Sequence, residues 1–378
     1  MQQIHNMFSI SIITMNIISI NAIWMIILLI GGCAANPEQA AAPLQPLVFP
    51  PPPEQPRFIF ERTVLSSADL EVADRETRLR QLLTGETTTG IAFAKPFDVT
   101  VCQGKIYVSD TLHRSVLVFD IPGRRFFEIG HDDPGALVKP LGLASDDECN
   151  VYVADATASR VAVYDQNGGF LRAIGGTQSF QRLSHVAVNR DGSKIFAVDT
   201  GGINSDAHRV RVFDARSGEH LYDIGSRGTN PGQFNLPRDI DIGSDGLLYV
   251  IDGGNFRVQV FREDGTFVRS YGSVGRRYGQ FSRPKGMGVD AEGNSYVSDA
   301  AHGNFQIFDP KGNLLLFVGD RSEQPNRAKY MLPAGIDVDE DGRVYMVDQF
   351  FRKLDIYRPV RLAETDGFLG AWASQPGE

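Results

Sequence analysis

The sequence predicts an all-β fold, a six-bladed β-propeller. A short apolar run ending in Asp recurs six times, as in "LYVIDGGNFRVQVF" from Leu248 to Phe261. The intervals between these Asp residues are 45, 44, 53, 47 and 49 residues. A period of about 40–50 residues with roughly four strand-like runs per unit is typical of a propeller blade. The recurrent residues are Asp110, Asp155, Asp199, Asp252, Asp299 and Asp348.

The fourth unit shows the four strands of a blade most clearly. The stretch "DIDIGSDGLLYVID" from Asp239 to Asp252 contains two apolar runs around an Asp-Gly turn, a strong hairpin signal. The stretch "FRVQVFREDGTFVRSYG" repeats this pattern with a third and a fourth strand. Runs such as "LLYVI" are apolar on consecutive positions, which indicates strands covered on both faces, as in stacked blades.

The ring needs one further strand to close. The sixth unit ends after "KLDIYRP" without a fourth strand, and we expect "RFIFERTVL" at 57–65 to supply it. The C-terminal "GFLGAW" competes for the same place. The segment "SADLEVADRETRLRQLLTG" predicts a short helix. The domain prediction is a closing strand and helix at 57–94, a propeller at 95–362 and a tail at 363–378.

The N-terminal segment differs in composition from the repeats. Residues 1–33 contain an apolar stretch that ends "IILLIGGC", which is typical of a secretory signal, although no Lys or Arg precedes it. An uncleaved membrane anchor is the alternative, but polar residues interrupt the stretch. Residues 34–56 carry eight prolines and predict an extended spacer.

Charge and cysteine content restrict the possible functions. The chain has 37 basic and 46 acidic side chains, a net charge of −9, which argues against nucleic acid as a partner. Cys102 and Cys149 lie in adjacent units near their first hairpins, and a disulfide between them is possible outside the cytoplasm. No CxxC motif is present, and we expect neither a metal nor another cofactor.

Several phrases resemble a known repeat family. "LPRDIDIGSDGLLYVID", "RPKGMGVDAEGNSYVSD" and "KPLGLASDDECNVYVAD" are similar to NHL repeats, and the resemblance covers about residues 95–357. The sequence "LIGGC" resembles the lipobox of bacterial lipoproteins, which implies lipidation at Cys33 and, with Ala34, sorting to the outer membrane. The resemblance to bacterial NHL lipoproteins also implies a setting near multihaem cytochrome systems.

One position of the first strand differs between units. The first strand of each unit begins with Pro or, in the third unit, with Leu. Two residues after it, three units carry Gly and three carry a polar side chain. Because first strands lie nearest the axis, we expect this position to ring a mouth of the central channel. The residues are Asp98, Gly142, His185, Asp239, Gly286 and Gly335. NHL-type propellers include a zinc-dependent lyase, so Asp98, His185 and Asp239 are candidate ligands; hydrated polar side chains are the alternative.

A loop before the fifth unit suggests an interface. The stretch "GSVGRRYGQFSRPKG" places Arg276, Arg277 and Arg283 near Tyr278. Arginine beside aromatic residues is typical of interface anchors, and a solvated connecting loop has the same composition.

These features favour a binding or scaffold module over an enzyme. We expect a lipid-anchored propeller of the bacterial cell envelope that contacts another envelope protein. A metal-dependent enzyme resembling a lyase or lactonase, with its site at the channel mouth, is one alternative. An RNA-binding NHL module is a second, which net charge and export disfavour.

Overall fold

The computed structural model describes residues 45–70 and 90–373, which are almost entirely β-structure. The helical elements are a 3-10 helix (Ser67–Leu70) and α1 (Gly370–Ala373). The strands are β1 (Val48–Phe49), β2 (Phe58–Val64), β3 (Pro96–Cys102), β4 (Lys105–Asp110), β5 (Ser115–Asp120), β6 (Arg125–Ile129), β7 (Pro140–Ser145), β8 (Val151–Asp155), β9 (Arg160–Tyr164), β10 (Phe170–Gly175), β11 (Leu183–Val188), β12 (Lys194–Asp199), β13 (Arg209–Asp214), β14 (His220–Ile224), β15 (Pro237–Ile242), β16 (Leu248–Asp252), β17 (Arg257–Phe261), β18 (Phe267–Tyr271), β19 (Pro284–Val289), β20 (Ser295–Asp299), β21 (Asn304–Phe308), β22 (Leu314–Val318), β23 (Asp320–Arg321), β24 (Lys329–Tyr330), β25 (Pro333–Val338), β26 (Val344–Asp348) and β27 (Lys353–Pro359).

These strands form a six-bladed β-propeller. Five blades are antiparallel sheets of four consecutive strands, β3–β6, β7–β10, β11–β14, β15–β18 and β19–β22, and the sixth has the order β25-β26-β27-β2-β1. The first strands of neighbouring blades contact each other around the whole ring, and β25 contacts β3. The ring is therefore closed, and its first strands line the central channel.

The two ends of the ring are built from different loops. Connectors between blades and turns between second and third strands lie at one end, which we call the connector face. It comprises residues 130–139, 176–182, 225–236, 272–283 and 319–332, with turns 111–114, 156–159, 200–208, 253–256, 300–303 and 349–352. The hairpin turns between first and second strands and between third and fourth strands lie at the other end, the hairpin face.

The sixth blade takes its outer strands from the N-terminal side. Strand β2 pairs with β27, from Phe58 opposite Pro359 to Val64 opposite Leu354. The segment 57–65 therefore supplies the outer strand, whereas "GFLGAW" forms a turn and α1.

Part of the predicted spacer 34–56 belongs to the folded propeller. Val48–Phe49 forms β1 against β2, and Leu47 packs on the core between blades five and six. Apolar residues among the prolines explain this difference, because they bury surface that a solvated spacer would leave exposed. The boundary of the folded body consequently lies before residue 57.

The core lies between the blades. Six apolar clusters each join two neighbouring blades, so every blade is covered on both faces. Strand β16 is buried at all five positions, as its run of consecutive apolar residues predicts. The C-terminal segment joins this core, because Leu369 and Trp372 pack with Val64 between blades six and one. Of the helix predicted at 67–85, Ser67–Leu70 is a 3-10 helix, and 71–89 lie outside the described residues.

The six recurrent Asp residues organise the blades. All six are fully buried. Asp110, for example, accepts hydrogen bonds from the backbone N–H of Ala94 at 2.7 Å and of His113 at 3.1 Å. It thereby joins the start of the first strand to the turn after the second strand. The repeated carboxylates are structural, as their presence in every unit indicates.

Candidate functional site

The sequence-predicted channel residues meet at one level of the axis. Where three blades carry Gly, neighbouring side chains fill the space. A Cβ atom on Gly335 would lie 2.2 Å from Asp98 Oδ1, and one on Gly142 would lie 2.4 Å from His185 Cδ2. A Cβ atom on Gly286 would lie 2.2 Å from a backbone oxygen of the next blade. Glycine is required at these positions because the ring is already filled.

These side chains lie inside the channel, and the predicted position at the channel mouth is wrong. Asp98, His185 and Asp239 are 3%, 6% and 1% exposed. Asp98 and His185 line both a cavity on the hairpin face and a cavity on the connector face, and Asp239 lines the second. Asp98 and His185 thus lie between the two cavities.

His185 forms ionic contacts with both carboxylates. Its Nε2 lies 2.6 Å from Asp98 Oδ2, and its Nδ1 lies 2.7 Å from Asp239 Oδ1. The imidazole thus bridges the two carboxylates through short charge-assisted contacts. Burial opposes protonation of His185, but Asp239 and Asp98 outweigh it and hold the histidine pKa well above its usual value.

The same carboxylates bind the backbone of the following blade. Asp98 Oδ2 accepts the Leu143 N–H at 2.7 Å, and Asp239 Oδ2 accepts the Met287 N–H at 2.8 Å. These contacts satisfy amide groups on the inner edges of the first strands. The cluster therefore connects blades one to two, four to five, and both to blade three through His185.

This arrangement does not fit the zinc site considered from the sequence. A nitrogen and an oxygen bound to one tetrahedral zinc ion are about 3.3 Å apart, since each lies roughly 2 Å from the metal. The direct contacts of His185 with Asp98 and Asp239 are shorter and leave no room for an ion. Within residues 45–70 and 90–373, no three His, Cys, Asp or Glu side chains are grouped to hold a metal.

A basic cavity of about 400 Å³ opens on the connector face above this cluster. Five basic side chains from five blades line it, whereas its acidic lining consists of Asp98 and Asp239 at the floor. Each basic residue lies beside the residue that begins a first strand. They are Lys95, Lys139, Arg182, Arg238 and Lys285.

The basic side chains perturb one another. Burial, with the nearby charges of Arg238 and Arg283, lowers the pKa of Lys285 from 10.5 to about 8. Burial, with Arg283 and Arg182, also lowers the pKa of Arg238. No carboxylate offsets these shifts. Arg238 and Lys285 therefore lie in a part of the cavity where positive charge predominates.

The sequence contains a signal for this cavity, at positions other than the one compared between first strands above. The dipeptides Lys-Pro at 95–96 and 139–140, Arg-Leu at 182–183, Pro-Arg at 237–238 and Pro-Lys at 284–285 place a basic residue at each strand start. The sixth blade has Leu-Pro-Ala at 332–334 instead. Comparing the residues on either side of the strand-leading Pro would have revealed the pattern.

The cavity on the hairpin face has the opposite character. It measures about 490 Å³. Burial raises the pKa of Asp241 to about 7, and burial with the charge of Asp241 raises that of Asp337 well above its usual range. Asp241 accepts the Val289 N–H at 2.7 Å, and Asp337 accepts the Val101 N–H at 2.8 Å, so both join neighbouring blades. The channel thus has one basic and one acidic end.

The predicted loop residues lie on the connector face, beside the basic cavity. Arg276, Arg277 and Arg283 are exposed. Tyr278 is 60% exposed and stacks on Phe317, with ring centroids 3.8 Å apart. The structure therefore brings the loop and the basic cavity to the same end of the propeller, while Asp98, His185 and Asp239 lie deeper.

The two remaining cysteine predictions have different outcomes. Cys102 and Cys149 form a disulfide between the first hairpins of blades one and two. Cys33, the predicted lipidation site, lies outside the described residues, as do the signal segment and residues 34–44 of the spacer. In the part of the chain that the structure describes, no helix is long and apolar enough to cross a membrane.

Comparison with known proteins identifies the repeat. The NHL repeat family matches residues 234–261, within the fourth blade. The human E3 ubiquitin-protein ligase TRIM32 is 44% identical over 45 residues, which are 12% of this chain and 7% of that protein. Human NHL repeat-containing protein 3 is 35% identical over 75 residues, 20% of each chain. The matches span only a small part of these relatives.

Solved structures resemble the whole propeller. A protein of unknown function from Bacteroides thetaiotaomicron has a TM-score of 0.59 at 19% identity, covering 81% of this chain and 76% of its own. A gluconolactonase from Xanthomonas campestris has a TM-score of 0.53 at 17% identity, covering 71% and 86%. A streptogramin B lyase has a TM-score of 0.51 at 14% identity, covering 71% and 94%. These likenesses establish the fold, and the chain is a six-bladed propeller with an NHL repeat.

Proposed function

We propose that this NHL propeller is a binding module without a reaction of its own, which docks another protein on its connector face. One observation carries the proposal. The five most exposed large apolar side chains of the described residues all lie on that face, around the basic cavity. They are Ile203 (77%), Leu112 (69%), Val274 (64%), Tyr278 (60%) and Phe350 (58%). Apolar side chains gathered on one face are typical of interaction surfaces.

The charged residues of the face support an acidic partner. Arg276 and Arg277 flank Tyr278, and arginine and tyrosine are the residues most enriched among interface anchors. The basic cavity at the centre adds positive potential, which favours and orients a partner with an acidic surface. The overall charge of −9 does not describe this face, because basic side chains are concentrated there.

A protein partner fits the face better than RNA or a lipid surface does. Exposed acidic side chains are interspersed among the basic ones, and these would repel a continuous row of phosphates or anionic headgroups. Mixed charges around apolar side chains are instead common in protein interfaces. The acidic residues are Asp132, Asp133, Asp206, Asp320 and Glu323.

The metal-dependent enzyme alternative receives no support from the channel residues. The lactonase and lyase that resemble this chain share its fold at 17% and 14% identity, which does not carry an activity across. Asp98, His185 and Asp239 contact each other directly and serve neighbouring blades. Their geometry favours a structural role.

The proposal includes a place for the module at the bacterial cell envelope. The support is the sequence "LIGGC", which is similar to a lipobox and makes Cys33 the expected lipid attachment site. Labelling of producing cells with radioactive palmitate should mark the wild-type protein and not Cys33→Ser. Equal labelling of both proteins, or of neither, would contradict lipid anchoring.

Docking can be tested by cross-linking in the cells that produce the protein. A photoreactive benzoyl-phenylalanine replaces Ile203 or Tyr278 on the connector face, or Asp264 on the hairpin face as the matched control. We expect a discrete cross-linked protein from positions 203 and 278 only, lost when Arg276→Glu and Arg277→Glu are added. Equal products from all three positions, none from the connector face, or a product destroyed by ribonuclease would refute the proposal.

A further inference from the structure

The basic cavity has the features of a small-ligand site, which goes beyond docking of a protein. It is concave, measures about 400 Å³ and closes at the Asp98, His185 and Asp239 cluster. A volume of this size is typical of small-molecule sites. A folded protein surface cannot fill it, because Lys285 and Arg238 at its wall are only partly exposed.

The basic side chains of the cavity lack partners. In the described part of the chain, none of the five forms a salt bridge or donates a side-chain hydrogen bond. The half-buried Arg257 is by contrast paired with Asp252 at 2.9 Å. Lys95, Lys139 and Arg182 are exposed, whereas Arg238 and Lys285 are half-buried. Half-buried cations beside other cations and without counter-ions destabilise a fold, so their presence favours an anionic occupant.

The cavity also holds Arg238 in place. A Cβ atom on Gly253 would lie 2.9 Å from Arg238 Nε, so the guanidinium lies against the backbone of the turn after β16. The side-chain stem of Arg238 thus packs on this turn. A guanidinium group can bind two oxygens of one carboxylate or phosphate group in parallel.

We propose that the cavity binds a small anion with two or more carboxylate or phosphate groups, held by Arg182, Arg238 and Lys285. Multivalency follows from the charge balance. Five basic side chains face two carboxylates, and both carboxylates already contact His185. A single negative charge would leave most of the positive charge uncompensated.

The lowered pKa of Lys285 is consistent with this site. Without ligand, burial together with the charges of Arg238 and Arg283 lowers the pKa of Lys285, and a bound anion would raise this pKa again. Arg182 faces the same region from blade three, and Asp98, Asp239 and His185 face it from the floor. Anion binding should therefore weaken above pH 8.

Calorimetric titration of the purified full-length chain in a mild detergent tests the site. The probes are citrate, pyrophosphate and, as the monovalent control, acetate. The variant is Arg238→Gln/Lys285→Gln, and the matched control is Lys311→Gln in an exposed turn of the hairpin face. We expect citrate or pyrophosphate to bind the wild type and Lys311→Gln alike, with at least tenfold weaker binding to the double variant.

Three results would overturn the proposal. They are no binding of citrate or pyrophosphate at concentrations up to about 10 mM, equal affinity of the double variant, and acetate binding as tightly as citrate. A hexaglutamate peptide separates the two proposals. If the peptide binds and citrate does not, the small-anion site is refuted while docking of an acidic protein is retained.

Discussion

Replacing Lys285 by Gln should stabilise the folded protein at pH 7. Lys285 lies in a partly buried cavity with Arg238 and Arg283 nearby, and no carboxylate offsets them. Most substitutions of partly buried residues destabilise a protein. A gain in stability would therefore be specific to this site, where a lysine is buried beside two arginines.

The magnitude follows from the pKa of the lysine. A decrease from 10.5 to about 8 corresponds to roughly 3 kcal/mol at about 1.4 kcal/mol for each pH unit. Because the ammonium group remains partly in contact with water, screening reduces the expected gain to about 1–2 kcal/mol.

The pH dependence of this gain has a definite sign. In the unfolded chain Lys285 keeps its proton up to about pH 10.5, whereas the folded protein loses it above about pH 8. The penalty of holding the charge is thus complete below pH 8, decreases between pH 8 and 10.5, and vanishes above. At pH 9.5 the advantage of Lys285→Gln should be roughly half its value at pH 7 or less.

Urea unfolding in chloride buffers without multivalent anions measures the effect. The free energies of unfolding of wild type, Lys285→Gln and Lys311→Gln are compared at pH 7 and pH 9.5. Lys311→Gln should match the wild type within about 0.5 kcal/mol, since surface substitutions rarely exceed that value. If Lys285→Gln is no more stable than the wild type at pH 7, or its advantage grows with pH, the assignment of an uncompensated cluster is refuted.

Three further predictions concern the centre of the ring and the disulfide. Gly335→Ala should destabilise the fold by about 3 kcal/mol or prevent folding, because its Cβ would lie 2.2 Å from Asp98 Oδ1, whereas Gly176→Ala, with open space around it, should unfold like the wild type in a thermal melt. His185→Gln should cost about 3 kcal/mol in urea unfolding at pH 7, because it leaves two buried carboxylates without their cation. The raised pKa of His185 means that this difference shrinks as pH rises through it, and an unchanged difference at high pH would contradict the ion-pair assignment. The double variant Cys102→Ser/Cys149→Ser should lose up to about 4 kcal/mol of unfolding free energy, the chain-entropy value for a separation of 47 residues, and no loss would mean that the bond is absent in solution.

The fold was predictable because the turns and strands of each blade have local sequence patterns. Asp-Gly turns such as the one at Asp245 fix the hairpins, and consecutive apolar runs such as β16 indicate strands covered on both faces. The closing strand β2 was recognisable because the sixth unit lacks a fourth strand. The paired Val48–Phe49 was not, since a run of two apolar residues among prolines carries no periodic signal.

The site was predictable only in part, because an alignment of strands does not give the depth of a side chain along the channel. The alignment of first strands identified Asp98, His185 and Asp239, but it placed them at the mouth, whereas they are buried inside the channel. That Asp98 also binds the Leu143 N–H of the next blade is a tertiary contact without a local sequence pattern. Their structural role was therefore visible only in the assembled ring.

The basic cavity shows why a residue repeated in several blades can still serve a ligand. A repeated side chain that points between blades contacts a separate set of neighbours in each blade. Its repetition therefore indicates a role in the structure of the blade. A repeated side chain at the start of the first strand points to the axis, where all copies converge. There Lys95, Lys139, Arg182, Arg238 and Lys285 are brought together although they span 191 positions of the sequence, from 95 to 285. A closed ring thus converts a weak preference for a basic residue beside the residue that begins each first strand into a strong local charge. The sixth blade, with Leu332 and Ala334 on either side of its Pro, contributes no basic side chain to it.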